Sequence, residues 1–128
     1  MVEGQFLLGI DLGTMGVKTG IYSICGKEVN NSYRGYPSIS LDLGWKEQDQ
    51  NLWWIETRNA IKTVLRDSKL LPEQIIGISC CGQSCGPSPI DKDGGILAFC
   101  ITHEDRRAAK ECRWIREHGG LHIHLVQH

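Results

Sequence analysis

The chain opens on a short, unbroken apolar run at residues 6–10, with the length and composition of a buried strand. The run ends on Asp11 and enters a tight turn built around Gly13, Thr14 and Gly16. Residues 17–24 and 27–36 read as two further strands, with Cys25-Gly26 as the turn between them. Strands joined by turns this short pair antiparallel. The pattern then breaks into a loop over residues 37–48. Asp49 stands where a helix N-cap is expected, and the helix it starts runs to about residue 70, ended by Pro72. On that helix Trp53, Thr57, Ala60, Ile61 and Val64 share one face, while Glu56, Arg58, Lys62 and Arg66 lie mostly elsewhere. Residues 75–81 form another continuous apolar run. Following a helix and apolar on both sides, it reads as a central strand parallel to an earlier one. Residues 87–98 suggest a hairpin turning at 91–95. Asp105 is expected to cap a last helix over residues 106–117, with Ala108, Cys112 and Ile115 facing inward and Gly119 stopping it.

Length and charge narrow the field. The 128 residues amount to one domain with a real core, and no repeat, linker or low-complexity tract divides them. With 14 basic and 15 acidic residues the net charge is -1, which argues against a nucleic acid or an anionic membrane as partner. No apolar run approaches the roughly 20 residues of a membrane span. The first five residues lack the basic region of a signal peptide. Six cysteines would suit a secreted disulfide scaffold, but Cys80 and Cys81 are adjacent within an apolar segment. Reduced thiols in a cytoplasmic protein are the expected state. Cys80, Cys81 and Cys85 lack the paired Cys-x-x-Cys spacing of a zinc or iron–sulfur site. His122, His124 and His128 make only a weak metal pattern in a tail, residues 121–128, set apart from a domain at 1–120.

The first turn carries the clearest chemistry. A glycine-rich turn between strands can aim backbone N–H groups at an anion, because glycine allows close approach and positive φ. Thr14 adds a hydroxyl and Lys18 a cation, the usual partners of phosphate. Asp11 at the strand end can hold magnesium through water, since that ion keeps several waters and takes few carboxylates. The glycine spacing of a P-loop is absent. An ordinary hairpin with a solvated Asp and Lys has the same local pattern.

Order and spacing then point to a family. Asp11-Leu12-Gly13-Thr14 with Lys18, Gly44-Trp45-Lys46-Glu47-Gln48-Asp49 with Trp53-Trp54, Gly77-Ile78-Ser79 running to Gly82-Gln83 and Gly86, Asp91-Lys92-Asp93-Gly94, and Asp105-Arg106-Arg107 follow one another. Together they resemble the N-terminal part of the FGGY carbohydrate kinases, of xylulokinase or gluconokinase type, over about residues 6–117. The chain departs from the pattern at His103, where the family has tryptophan, and at Ser84-Cys85, where xylulokinase-like loops carry Met-His.

The resemblance implies an α/β, RNase-H-like fold of the actin and hexokinase superfamily: a mixed sheet of three antiparallel strands, then a parallel strand with flanking helices, truncated within the first of two domains. It implies ATP and Mg2+ as cofactors and phosphoryl transfer to a hydroxyl of a small sugar or polyol. Asp11, Gly13, Thr14 and Lys18 would face the phosphates and the metal. Gln83, Ser84, Cys85, Asp105 and Arg107 would face the acceptor, and the general base would lie beyond residue 128. For several of these residues a bland role remains open: a turn around Gly82 and Gly86, a cap at Asp49, an internal ion pair for Asp105 and Arg107. Trp45, Trp53 and Trp54 could stack on a sugar ring or simply pack. The alternatives are a non-catalytic sugar- or nucleotide-binding module and an activator ATPase of the same superfamily. With the parallel strand's apolar faces and edge left open, these residues are expected either to self-associate as a homo-oligomer or to be the ordered remnant of a longer polypeptide.

Overall fold

The computed structural model describes residues 4–84 and 86–118. Along the chain come β1 (Phe6–Leu12), β2 (Gly16–Ser23), β3 (Glu28–Gly35), β4 (Glu47–Gln48), α1 (Gln50–Ser68), a 3-10 turn (Pro72–Gln74), β5 (Ile75–Gly82), β6 (Cys100–Ile101) and α2 (Ala109–His118). The main sheet has the order β3-β2-β1-β5. Its first three strands form the expected antiparallel meander, and β5 runs parallel to β1 after the helical crossover.

Strand alternation decides which side of the sheet α1 covers. Phe6 and Leu8 of β1 and Val17, Thr19 and Ile21 of β2 are buried on one face. α1 lays Ala60 and Val64 onto that face, so the apolar stripe expected from the sequence is the one that packs. Phe6, Leu8, Ile21, Val64 and Leu70 make one core cluster, and Val17, Tyr36 and Ala60 a second nearer the turn. Asp49 caps α1 as expected: its carboxylate accepts from the Asn51 N–H at 2.8 Å. At the other end Lys69 takes the left-handed conformation, φ 56°, and its N–H reaches back to the Arg66 carbonyl at 3.1 Å.

Four expectations need correction. The 37–48 loop is not wholly irregular, because Glu47–Gln48 pairs with Cys100–Ile101 as a small antiparallel sheet of β4 and β6. Two-residue strands leave no periodic signal, and here the partner comes only after α1 and β5 have intervened. The hairpin does turn at 91–95, where the Asp91 N–H donates to the Gly95 carbonyl at 2.8 Å, but its strand pairing is limited to a single bridge between Ile90 and Ile96. The last helix begins at Ala109, not 106, and none of its residues is buried. Cys112 and Ile115 are exposed because no described element packs on α2. Likewise β5 is an edge strand among the described residues, with Ile76 and Ile78 more than half exposed. The expected stop at Gly119 and the 121–128 tail lie outside the described residues, as does the histidine pattern. Among the described residues no helix is long and apolar enough to cross a membrane.

Candidate functional site

The β1–β2 turn is closed by the Gly13 N–H donating to the Gly16 carbonyl at 3.0 Å. Neither glycine has a positive φ, contrary to the expectation. Their role is close approach: a Cβ on Gly16 would run into the Tyr33 ring and, at 2.5 Å, the Arg34 carbonyl.

Three successive carbonyls of this turn are held from the protein side. The Tyr36 hydroxyl donates to the Gly13 carbonyl, the Gln48 Nε2 to the Thr14 carbonyl, and the Tyr33 hydroxyl to the Met15 carbonyl at 3.0 Å. The Tyr36 N–H binds the Met15 carbonyl as well, at 3.2 Å. In a trans peptide the C=O and the following N–H point in opposite directions. Tethering the Gly13 and Thr14 carbonyls inward therefore turns the Thr14 and Met15 N–H groups away from the protein body. Neither has an acceptor among the described residues. Outward amides in succession form the kind of concavity that binds anions. Burial, with the neighbouring Tyr33 and Asp11 adding to it, pushes the Tyr36 phenol up to about 12, so it stays a donor across the physiological range.

Asp11 and Lys18 are cross-strand partners. Both project from the face opposite α1 and border an open groove of about 330 Å³ whose floor is Gly9, Gly20 and Ser79. Neither is in an ion pair with another described residue, which leaves one free carboxylate and one free ammonium at the strand ends. A single exposed carboxylate beside an anion-binding turn suits magnesium held through water. Cys81, paired with Asp11 in the parallel register, donates to Asp11 Oδ1 at 3.4 Å. That bond comes first among the causes holding the Cys81 thiol above its ordinary pKa.

The chain leaving β5 comes back to the same place. The Gln83 N–H donates to the Leu12 carbonyl at 2.9 Å, and Gln83 Nε2 donates to Gln48 Oε1 at 2.9 Å. Ser84 follows and is exposed, while Cys85 lies outside the described residues. The parallel pairing of β1 with β5 thus puts the phosphate-type turn and the expected acceptor loop side by side at the carboxyl end of both strands. Open α/β sheets place ligands there.

Asp105 and Arg107 belong to a separate cluster beside β4. Arg107 Nε contacts both Asp105 oxygens at 3.0 Å, and its Nη2 reaches Asp105 Oδ2 at 2.9 Å and Glu47 Oε1 at 2.6 Å. The guanidinium lies 3.9 Å over the Trp45 ring. Asp105 also accepts from the Lys46 N–H at 2.7 Å and the Arg107 N–H at 2.9 Å. These contacts explain why Asp105 does not cap α2: its carboxylate is used up tying residues 105–107 to the 44–47 loop. The Arg107 guanidinium, helped by the two backbone donors, holds the Asp105 carboxyl far below the usual carboxylate range, although burial opposes the shift. Arg107 Nη1 has no acceptor among the described residues. Of the other tryptophans, Trp53 donates to Gln48 Oε1 at 3.2 Å and Trp54 is exposed on α1.

Tyr33, Tyr36 and Gln48 were not singled out from the sequence as site residues. Only Gln48 left a signal there, as the amide within the Gly44–Asp49 motif. The tyrosines act on the turn through long-range contacts to main chain, which no local pattern encodes.

Comparison with known proteins agrees with this geometry. The family model described as "FGGY family of carbohydrate kinases, N-terminal domain" matches residues 6–126. The xylulose kinase of Bacillus subtilis (strain 168) is 32% identical over 119 residues, 93% of this chain and 24% of that protein. The glycerol kinase of Acaryochloris marina is 31% identical over 122 residues, again 93% of this chain and 24% of that protein. Among solved structures, the gluconate kinase from Lactobacillus acidophilus superposes with a TM-score of 0.83 at 26% identity, covering 91% of this chain and 23% of its own. The chain spans about a quarter of the length of the curated relatives it matches. The mixed sheet with its flanking helices is thus the actin- and hexokinase-like fold of these sugar kinases, and the chain belongs to the FGGY family of carbohydrate kinases.

Proposed function

We propose that this chain forms the phosphate-binding turn and part of the acceptor wall of an ATP-dependent kinase. That kinase transfers the γ-phosphoryl group to a hydroxyl of a small sugar or polyol. The observation that carries the reading is the juxtaposition of outward amides at Thr14 and Met15, the free Asp11 and Lys18 groups, and the Gln83–Ser84 segment at one end of the sheet.

Phosphoryl transfer needs little covalent chemistry from the protein. It needs an in-line arrangement and charges to match the developing transition state. Thr14 and Met15 would meet phosphate oxygens with their amides, Thr14 also with its hydroxyl and Lys18 with its ammonium, while Gly13, whose own N–H closes the turn, would let the phosphate approach the backbone. Asp11 would hold Mg2+ through water, and the ion, when bound, neutralises phosphate charge. Gln83, Ser84 and Cys85 would bond the hydroxyls of the acceptor. Asp105 and Arg107 would close that side, with Arg107 Nη1 as the remaining donor. The general base belongs to chain beyond residue 128, as does the rest of the nucleotide cleft. Residues 1–120 are read as the first part of the family's N-terminal domain, in a cytoplasmic protein that self-associates.

The test is steady-state kinetics on the whole kinase with Mg–ATP against D-xylulose, glycerol and gluconate. Asp11→Asn should lower kcat by about two orders of magnitude while the KM for the acceptor moves little, because its role is confined to transfer. Near-normal kcat in Asp11→Asn would reduce Asp11 to a structural turn residue and remove the reading.

A further inference from the structure

Gln48 is wholly buried, with 0% exposure, and its side-chain amide lies between the two halves of the proposed site. Nε2 donates to the Thr14 carbonyl and, at 3.3 Å, to Ser38 Oγ. Oε1 accepts from Trp53 Nε1 at 3.2 Å and from Gln83 Nε2 at 2.9 Å. A primary amide offers two donors and two lone pairs, and all four are used. A buried amide left partly unpaired is costly, so a fully matched one is held in a single orientation.

That orientation is dictated by chemistry. The Thr14 carbonyl can only accept and the Trp53 indole N–H can only donate, so Nε2 must face the turn and Oε1 must face Trp53. Gln83 then meets an oxygen and must turn its own NH2 group inward. The consequence appears at its other atom: Gln83 Oε1 is shielded and has no hydrogen-bond partner among the described residues. An enclosed acceptor without a donor carries a desolvation cost, and Gln83 bears it because Gln48 fixes which way its amide turns.

We propose that Gln48 is a positioning residue that couples the phosphate turn to the acceptor loop: it holds the Thr14 carbonyl inward and fixes the orientation of the Gln83 side-chain amide. The proposal rests on the kinase reading above. Its position is itself secured from two sides, by pairing with Cys100 in the small sheet and by the Asp49 cap that follows it.

The experiment is heteronuclear NMR on the whole kinase, isotope-labelled over these 128 residues, reading the Thr14 and Met15 backbone amides, the Gln83 side-chain NH2 and the Trp53 indole N–H. Gln48→Met should move all four signals and speed solvent exchange of the Gln83 NH2 by about tenfold, the factor for one net hydrogen bond. Gln83 is only half-buried, so Gln83→Ala perturbs the core least. It should shift the Thr14 and Met15 amides, which its side chain does not touch, and that shift should vanish in the Gln48→Met background. Thr14 and Met15 signals indifferent to Gln83→Ala would overturn the coupling. A separate arm adds magnesium pyrophosphate and then glycerol or D-xylulose to the unaltered whole kinase. Pyrophosphate should move the turn amides, and the polyol or sugar should move the Gln83 NH2. Ligand shifts without coupling between variants would sink the inference alone. Coupling without ligand shifts would sink the kinase reading and the role given to Gln48 with it.

Discussion

Removing one oxygen, in Tyr36→Phe, should give a stability difference that reverses sign with pH. Tyr36 is 7% exposed, and its hydroxyl donates to the Gly13 carbonyl behind the phosphate turn. At neutral pH the substitution leaves that carbonyl without its side-chain donor and should cost about 1–2 kcal/mol. Alkaline conditions act the other way. The phenol is raised from 10.0 to about 12 in the folded protein, so between those values the unfolded chain has released a proton that the folded chain still holds. Stability supplied by this group is therefore complete below pH 10 and is lost as pH rises towards 12. Two pH units at about 1.4 kcal/mol each amount to a loss of about 2.7 kcal/mol from the wild type, a loss that Tyr36→Phe, with no phenol to titrate, escapes. Other titrating groups, Tyr22 and the cysteines among them, are common to both proteins and cancel in the difference. The two stability curves should therefore cross at about pH 11. Urea unfolding followed by circular dichroism at a series of pH values from neutral to about 12 measures this directly. A difference that stays constant over that range would show that the Tyr36 hydroxyl is not the buried donor described here.

Three further outcomes follow from the same structure. Leu8→Ala, in the core cluster under α1, should cost about 2–5 kcal/mol in urea unfolding; a loss under about 1 kcal/mol would mean that β1 is not packed as described. The Asp105 carboxyl is depressed in the folded state, so its contribution is present above the ordinary carboxylate range and is lost as pH falls through and below it. Carbon-detected NMR titration should find Asp105 charged well below 3.8 in the wild type and shifted upward from there in Arg107→Met, with the backbone donors keeping part of the depression; an unshifted wild type would refute the ion-pair assignment. Under the proposed function these 128 residues alone should show no sugar-dependent ATP turnover in a coupled assay, and turnover abolished by Asp11→Ala would contradict that.

Much of the frame was legible because its signals are local. The β1–β3 meander followed from short turns between apolar runs, and α1 from a cap, a stripe and a stopping proline. That β5 runs parallel to an earlier strand followed from a helix standing between them, and the structure identifies that strand as β1. What the sequence hid depends on contacts between segments far apart along the chain. Asp105 looked like a helix cap because Asp before a helical stretch usually is one. The Arg107 ion pair, left open in the sequence beside the cap, and the Lys46 N–H from the distant 44–47 loop took its oxygens, and the helix starts only at Ala109. Residues 75–81 looked central because they are apolar on both faces, yet among the described residues nothing covers their outer side. Apolarity reports what a strand needs, and the described residues do not meet that need for β5.

The Gly44–Asp49 stretch shows how a short motif can organise a site without supplying its chemistry. Successive residues of an extended segment point to opposite sides. Glu47 turns to Arg107, and Gln48 turns to Thr14 and Gln83. Asp49, one step on, ends the strand by capping α1. Three neighbouring polar residues thus anchor the Asp105–Arg107 cluster, the phosphate turn with the acceptor loop, and the helix that covers the sheet. None of the three need touch a ligand. Moving any one of them by a single position would rotate the other two off their partners, which is why the spacing within this motif carries as much meaning as its composition.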